Sequence, residues 1–147
     1  RSAVSTPLKP LVDSLIATLS RTPAAQRLEF ETRIAGEPSL PLDRTDLAEV
    51  LGNLLENAVR HANRRVRVSA TVAGPGVVVE DDGPGIAPNE RAKVLERGVR
   101  LDERGEGAGI GLAIVQDVLG AYRWRLVITT SELGGLKAIV APEAAPD

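Results

Sequence analysis

The chain has 147 residues, of which 43% are hydrophobic and 26% are charged, and its formal net charge at pH 7 is −2. This size and composition are typical of one globular domain, and we expect a single domain over residues 1–147. The small net charge argues against nucleic acid as a partner, because domains that bind it usually carry a basic patch. The absence of cysteine excludes disulfides and thiolate metal sites, and it suits a reducing cytoplasm.

No apolar run approaches the roughly 20 residues that a membrane-spanning helix needs. The first ten residues also lack the apolar core of a signal peptide. The sequence also contains no methionine, and so no translation start. Together these features lead us to expect a soluble piece of a longer protein.

Hydrophobic spacing predicts the elements of the first half. Apolar residues recur every three or four positions over residues 6–19, which indicates an amphipathic helix that packs on a sheet. Alternation over 27–34 indicates a half-buried strand. A second helix is expected over 45–61, capped by Asp43 or Thr45.

In the second half, β-branched runs at 66–72 and 77–80 flank a glycine- and proline-containing turn, which predicts two consecutive antiparallel strands. The other expected elements are a short helix at 89–96, a mobile charged loop at 97–107, a helix at 108–119, strands at 125–130 and 136–140, and a frayed tail at 142–147. This order predicts an α+β fold, a two-layer sandwich with helices on one face of a mixed, mostly antiparallel sheet.

The second predicted helix has a polar face beside its apolar face. Asn53, Asn57, Arg60 and His61 fall within an arc of roughly 100° at 3.6 residues per turn. Two amide oxygens next to a cation can bind a hard metal ion and an anion together, as a magnesium nucleotide requires. An ordinary solvated helix face shows the same pattern, so by itself it leaves both interpretations open.

Residues 81–86 form an acidic, glycine-rich segment with the sequence DDGPGI, which directly follows an apolar strand. Its first carboxylate, Asp81, can accept a hydrogen bond from an exocyclic amine, and its glycines let the backbone approach a flat ring. A simple tight turn uses the same residue types, so this interpretation also remains open.

A third segment, GEGAGIGL at residues 105–112, ends the charged loop and opens a helix. Backbone N–H groups at the positive end of a helix can bind phosphates. A flexible linker is the alternative, but four alternating glycines that run directly into an apolar helix disfavour it.

In order and spacing, these segments resemble the N box (53–58), the G1 box (81–85) and the G2 box (107–112) of sensor histidine kinases. The resemblance extends from about residue 8 to residue 140. It implies the Bergerat ATP-binding fold, which gyrase, MutL and a heat-shock chaperone share. It further implies that Asn57 coordinates Mg²⁺, with Asn53 one helical turn earlier, and that Asp81 reads the amino group of adenine. The other residues that it assigns to the ATP site are Arg60, His61, Gly83, Gly85, Ile86, Gly107, Ala108, Gly109, Ile110, Gly111 and Leu112.

Residues 88–107 resemble the lid that covers ATP in this family. Two departures stand out: the hydrophobic side chains of residues 94–99 are all aliphatic where the family commonly has phenylalanines, and Ala-Tyr-Arg at 121–123 replaces a common His-Gly-Gly turn. We therefore expect the lid of this chain to dock on the rest of the domain differently from the lids that are common in the family. The G1 sequence and the charged lid are similar to a PhoQ-like sub-group.

The resemblance implies that the γ-phosphoryl group of ATP is transferred to a histidine on an upstream dimerisation domain, which lies outside these 147 residues. The fragment is then a monomeric cytoplasmic domain of a homodimeric, membrane-anchored parent protein, with a response regulator as further partner. Glu56 and Asn57 are the candidate catalytic residues. His61 lies within the N box, so we expect it near the phosphates and not as the phosphoacceptor.

Three alternatives use similar boxes. A hydrolytic ATPase of the gyrase and MutL branch has a general-base glutamate where Asn53 stands, and an amide cannot take a proton from water. A binding module without chemistry would allow loss of a box residue, and none is lost here. An anti-sigma-factor serine kinase acts from a compact domain, whereas the first helix here resembles a continuation from an upstream domain.

Overall fold

The computed structural model describes residues 4–94 and 108–144. In chain order the elements are β1 (Thr6–Pro7), α1 (Leu8–Leu19), β2 (Glu29–Arg33), β3 (Ser39–Leu40), α2 (Arg44–His61), β4 (Arg65–Ala70), β5 (Val77–Asp81), α3 (Arg91–Val94), α4 (Ala108–Gly120), β6 (Trp124–Thr130) and β7 (Leu136–Pro142). Short 3-10 turns precede β2 at Pro23–Ala25 and α3 at Pro88–Glu90.

Five strands form the main sheet, in the order β2-β4-β5-β7-β6. Only the β2–β4 pair in this sheet is parallel, and its other neighbours are antiparallel. Helix α2 contacts β5, α4 contacts β6, and the two helices pack on each other. The predicted α+β sandwich with a mixed, mostly antiparallel sheet is confirmed.

Helix α2 is held by a cap at its start and by its apolar side. The Asp43 side chain accepts a hydrogen bond from the Thr45 N–H at 3.0 Å, so the predicted cap is Asp43. Burial of one large aliphatic side chain contributes roughly 1.5–3 kcal/mol, so packing dominates the stability of this helix. Its buried residues are Leu47, Val50, Leu51, Leu54, Leu55, Ala58 and Val59.

The N-terminal segment differs from the prediction. Thr6 and Pro7 form β1 and pair with β3, so α1 begins at Leu8 and not at Thr6. The buried Thr6 hydroxyl donates to the Leu42 carbonyl at 2.7 Å, which holds this extended segment in place. Helix α1 packs mainly on α2 because α2 and α4 already cover the sheet.

Two predicted strands also differ in detail. In β2, which lies at the edge of the sheet, Thr32 is on the same alternating face as Phe30 but is exposed, so the half-buried pattern predicted over 27–34 is incomplete. Strand β7 continues to Pro142, and the Glu143 N–H donates to the Arg123 carbonyl at 2.9 Å. The tail is therefore ordered past the point where fraying was expected, and residues 145–147 lie outside the described part.

The turn after α4 ties this helix to the start of α2. The Tyr122 hydroxyl donates to the Asp46 carboxylate and accepts from the Asp43 N–H at 3.3 Å. Arg123 has a left-handed backbone conformation (φ 60°), which completes the turn into β6. The Ala-Tyr-Arg sequence at 121–123 thus holds the end of α4 to the start of α2 through the Tyr122 hydroxyl.

Most of the predicted lid, residues 95–107, lies outside the described residues, as do the last two residues of the short helix expected at 89–96. The described part of that expected helix is the end of a 3-10 turn followed by α3. In the described ranges, no helix is both long and apolar enough to cross a membrane.

Candidate functional site

The N box and the G2 box meet where α2 crosses α4. The Asn53 amide nitrogen donates to the Glu49 carbonyl at 2.7 Å, which orients its oxygen away from that carbonyl. A Cβ placed on Gly111 would lie only 3.3 Å from this Asn53 oxygen. Gly111 therefore allows the first turns of α4 to approach the polar face of α2.

The rest of the polar face points away from the core. Asn57 is half-buried, and its side chain has no hydrogen-bond partner within residues 4–94 and 108–144, whereas Glu56 and Arg60 are exposed. The His61 ring is also exposed, with Nδ1 2.9 Å from the Asn57 carbonyl oxygen one turn earlier. The face offers an amide oxygen, a guanidinium and an imidazole to a ligand.

Asp81 ends the central strand β5, and only 2% of it is exposed. Its Oδ1 accepts hydrogen bonds from the N–H groups of Gly83 at 2.8 Å and Leu136 at 3.3 Å. Its carbonyl oxygen accepts from the Gly135 N–H at 3.1 Å. Burial raises the pKa of this carboxyl above its usual value, and the N–H groups of Gly83 and Leu136 offset part of the rise. The carboxylate is held at one orientation by backbone from two loops.

Glycine is required around Asp81 because backbone segments come very close together. A Cβ on Gly83 would overlap the carbonyl oxygen of His61, and a Cβ on Gly135 would overlap Asp81 Oδ1 and lie 2.6 Å from the Gly83 nitrogen. Gly85 packs against the Gly135 backbone. The sequence pattern predicted close approach of these glycines to a bound ring, whereas the nearest neighbours of Gly83 are atoms of His61 and Asp81.

Asp82 is a site residue that the sequence analysis missed. Its carboxylate accepts from the N–H groups of Asn63 at 2.7 Å and Arg64 at 2.9 Å. Partial desolvation raises the pKa of Asp82, but hydrogen bonds from the backbone of Arg64, Arg65 and Asn63 outweigh it and hold the pKa below its usual value. Asp82 thus connects the end of the N-box helix to the G1 box. The second of the two adjacent aspartates in the DDG sequence was the only feature of the sequence that could have pointed to it.

The G2 residues 108–112 form the first turns of α4, and Gly107 lies outside the described residues. Leu112 is buried in the core, so its side chain secures this helix and does not face a ligand. Ile86 packs against the same core. The Arg91 guanidinium, a second missed group, donates to the Ile86 carbonyl at 3.1 Å and the Thr130 hydroxyl at 2.8 Å.

The donor set around α2 limits what kind of metal site could form there. No cluster of three or more His, Asp or Glu side chains capable of holding a metal ion occurs in the part of the chain that the structure describes. A metal ion at Asn57 would therefore take its other ligands from phosphate oxygens and water. Mg²⁺ is commonly bound in this way, so the residues present fit it.

Comparison with known proteins finds relatives for most of this chain. Residues 42–145 match the family described as histidine kinase-, DNA gyrase B-, and HSP90-like ATPase. The two-component sensor PhoQ of Pseudomonas aeruginosa is 43% identical over 131 residues, which cover 87% of this chain and 29% of that protein. The sensor protein kinase CarS of the same organism is 53% identical over 105 residues, covering 69% of this chain and 23% of that protein.

A solved structure extends this similarity to the fold. The mycobacterial sensor histidine kinase MprB superposes with a TM-score of 0.80 at 28% identity, covering 96% of this chain and 97% of that one. The chain spans less than a third of the length of the two Pseudomonas sensors. The resemblance inferred from the three boxes is confirmed for the domain.

The Asp82 hydrogen bonds predict a pH-dependent contribution to stability. We expect Asp82→Asn to lower the free energy of unfolding by about 1 kcal/mol at pH 7, because the N–H groups of Asn63 and Arg64 lose a charged acceptor. The folded-state pKa lies below the unfolded value of about 3.9, so this contribution is complete above that value and is lost as the pH falls through the folded pKa.

Urea unfolding from pH 7 to pH 3 measures this effect. The difference between the parent chain and Asp82→Asn should be constant at higher pH and begin to shrink below about pH 3.9, while the exposed Glu37→Gln serves as a control for general charge effects. A difference that stays constant with pH would contradict the role of Asp82.

Proposed function

Because this chain belongs to the histidine kinase-, DNA gyrase B-, and HSP90-like ATPase family, we propose that it presents ATP for transfer of the γ-phosphoryl group to a histidine. It is the ATP-binding catalytic domain of the sensor histidine kinase type. The acceptor histidine belongs to a dimerisation domain of the parent protein. The observation that carries the proposal is that the G1 and G2 boxes both reach the N-box helix α2: the Gly83 backbone lies against the His61 carbonyl, and Gly111 lies against the Asn53 side chain.

Asp81 is the proposed adenine-reading residue. Both of its side-chain hydrogen bonds to Gly83 and Leu136 fall on Oδ1, so Oδ2 makes no hydrogen bond within the described ranges. A carboxylate oxygen held in a dry pocket is a strong and oriented acceptor for the exocyclic amine. Gly83, Gly85 and Ile86 follow it directly and would border the base.

The phosphates are proposed to lie between α2 and the start of α4. Asn57 would hold Mg²⁺ through its amide oxygen, and the ion supplies positive charge that neutralises the phosphate oxygens. Arg60 and His61 lie one turn further along the same face. On the other side, the backbone N–H groups of residues 107–111 would donate to phosphate oxygens at the positive end of α4.

This arrangement favours phosphotransfer over hydrolysis. At the position where the hydrolytic branch has its general base, Asn53 has an amide whose nitrogen is already bound to the Glu49 carbonyl. The exposed Glu56 remains a proposed aid to a docked acceptor histidine. The His61 ring is bound back to its own helix, which makes it a poor candidate for in-line attack.

The remaining partners follow from this role. We place the domain in the cytoplasm, within a homodimeric and membrane-anchored parent protein that passes the phosphoryl group to a response regulator. Two relatives, a two-component sensor and a sensor protein kinase, support this assignment.

Asp81→Asn tests the adenine assignment. The substitution keeps the shape of the side chain and removes the charged acceptor, which costs on the order of 1.5–3 kcal/mol in a desolvated pocket. We expect calorimetric titration to show at least tenfold weaker ATP binding, while the weaker binding of GTP, which has a carbonyl in place of the amine, changes little. Unchanged ATP affinity would remove Asp81 from this role.

Asn57→Ala tests the metal assignment. ATP affinity of the parent chain should increase when Mg²⁺ is added, and this increase should shrink in Asn57→Ala because a hard oxygen ligand is lost. The matched control is Asn63→Ala, since Asn63 is exposed and, among the described residues, forms a hydrogen bond only through its backbone N–H. A metal response of equal size in Asn57→Ala and Asn63→Ala would argue against Asn57 as a ligand.

Incubation with radiolabelled ATP tests the transfer itself. The isolated chain should bind ATP without labelling itself, because its sole histidine lies on the N-box helix. Adding the parent protein's dimerisation domain should produce acid-labile, base-stable label on that domain, and Asp81→Asn should reduce it. Such label on the isolated chain, or none on the added domain, would overturn the proposal.

A further inference from the structure

A buried ionic network lies directly behind the G1 box, on the face of the sheet opposite the helices. Arg67 of β4 and Glu80 of β5 are cross-strand partners, and they are only 4% and 5% exposed. The Arg67 Nε and Nη2 atoms both lie 3.2 Å from Glu80 Oε1, and Nη2 also lies 2.6 Å from Glu132 Oε2. Successive residues of a strand face opposite sides, so Glu80 points away from the side occupied by its neighbour Asp81.

The network holds the turn between β6 and β7 (residues 131–135). The Ser131 hydroxyl, itself buried, donates to the second oxygen of Glu80 at 2.8 Å and accepts from the Leu133 N–H at 2.9 Å. Within the turn, the Ser131 N–H donates to the Gly135 carbonyl at 2.8 Å. Ser131 therefore joins Glu80 to both ends of the turn.

The same turn supplies the backbone that orients Asp81. The Gly135 N–H donates to the Asp81 carbonyl, and the next residue, Leu136, donates to the Asp81 carboxylate. The turn is thus fixed to two consecutive residues of β5 from opposite faces of the sheet, to Glu80 through a side chain and to Asp81 through the backbone. A shift of the turn would move the donors of Asp81.

Stability alone is a weak explanation for this network. Desolvation of a buried ion pair largely cancels its attraction, and hydrophobic replacements are often as stable. Geometric specificity is a better attested use of such groups. We infer that Glu80 and Ser131 are positioning residues that set the selectivity for adenine by fixing the turn which orients Asp81. This inference rests on the proposed role of Asp81.

The inference is tested with two nucleotides that differ only at position 6 of the base: ATP, and purine riboside triphosphate, which has hydrogen in place of the amine. Ser131→Ala should weaken binding of ATP by about threefold to tenfold, with little change for the analogue, because only the contact to the amine depends on the orientation of Asp81. A merely structural role would weaken both nucleotides equally.

Three further variants complete the experiment. Ser69→Ala is the matched control, since Ser69 lies on β4 two residues from Arg67 and outside the network. Glu80→Gln disturbs the same link from the other partner and repeats the test, with Glu132 left as an anionic partner of the buried Arg67. In the Asp81→Asn background, Ser131→Ala should produce no further change in the ratio of the two affinities.

The outcomes separate the two ideas. Loss of discrimination in Asp81→Asn, with full discrimination kept in Ser131→Ala and Glu80→Gln, overturns the positioning inference alone. Full discrimination in Asp81→Asn overturns the adenine assignment and the positioning inference with it. Equal weakening of both nucleotides in Ser131→Ala also overturns the inference.

Discussion

The burial of one carboxylate, that of Asp81, constrains most of this domain's architecture. An ionisable group in a dry environment costs free energy unless donors satisfy it. Here the donors are the backbone N–H groups of Gly83 in the G1 box and of Leu136, the first residue of β7 after the turn between β6 and β7, and their approach requires glycine at positions 83 and 135. The central strand, the end of α2 and this turn must therefore occupy fixed relative positions for the fold to hold the group.

Helix α2 combines the core and the polar face of the site in a single rigid element. Its buried aliphatic side supplies packing, and its adjacent side presents Asn53, Asn57 and Arg60. Asp82 joins the exit of this helix to the G1 box, while Tyr122 joins its start to the end of α4. The residues proposed for the metal, the base and the phosphates thus belong to elements that are linked at both ends of α2.

The two faces of the sheet play different parts in the structure. The face toward the helices forms the apolar core, whereas the opposite face carries the buried Arg67 and Glu80 pair directly behind Asp81. Because β5 alternates its side chains, a charged network on one face can fix a turn that serves the other. Residues that do not face the proposed ligand therefore help to hold the site in place from the opposite side of the sheet.

Local patterns in the sequence determined the class of fold, the extents of α2 and of the central strands, and the three boxes, because periodicity, caps and glycine spacing act between neighbouring residues. They also led to Asp81 and Asn57, whose types match the chemistry of adenine and Mg²⁺. Only the tertiary structure decided that Asp82 clamps the backbone after α2, that Gly135 and Leu136 orient Asp81, and that Arg67, Glu80 and Ser131 form one network. These contacts join residues 13 to 55 positions apart, so they depend on strand register and turn placement, which no local pattern encodes.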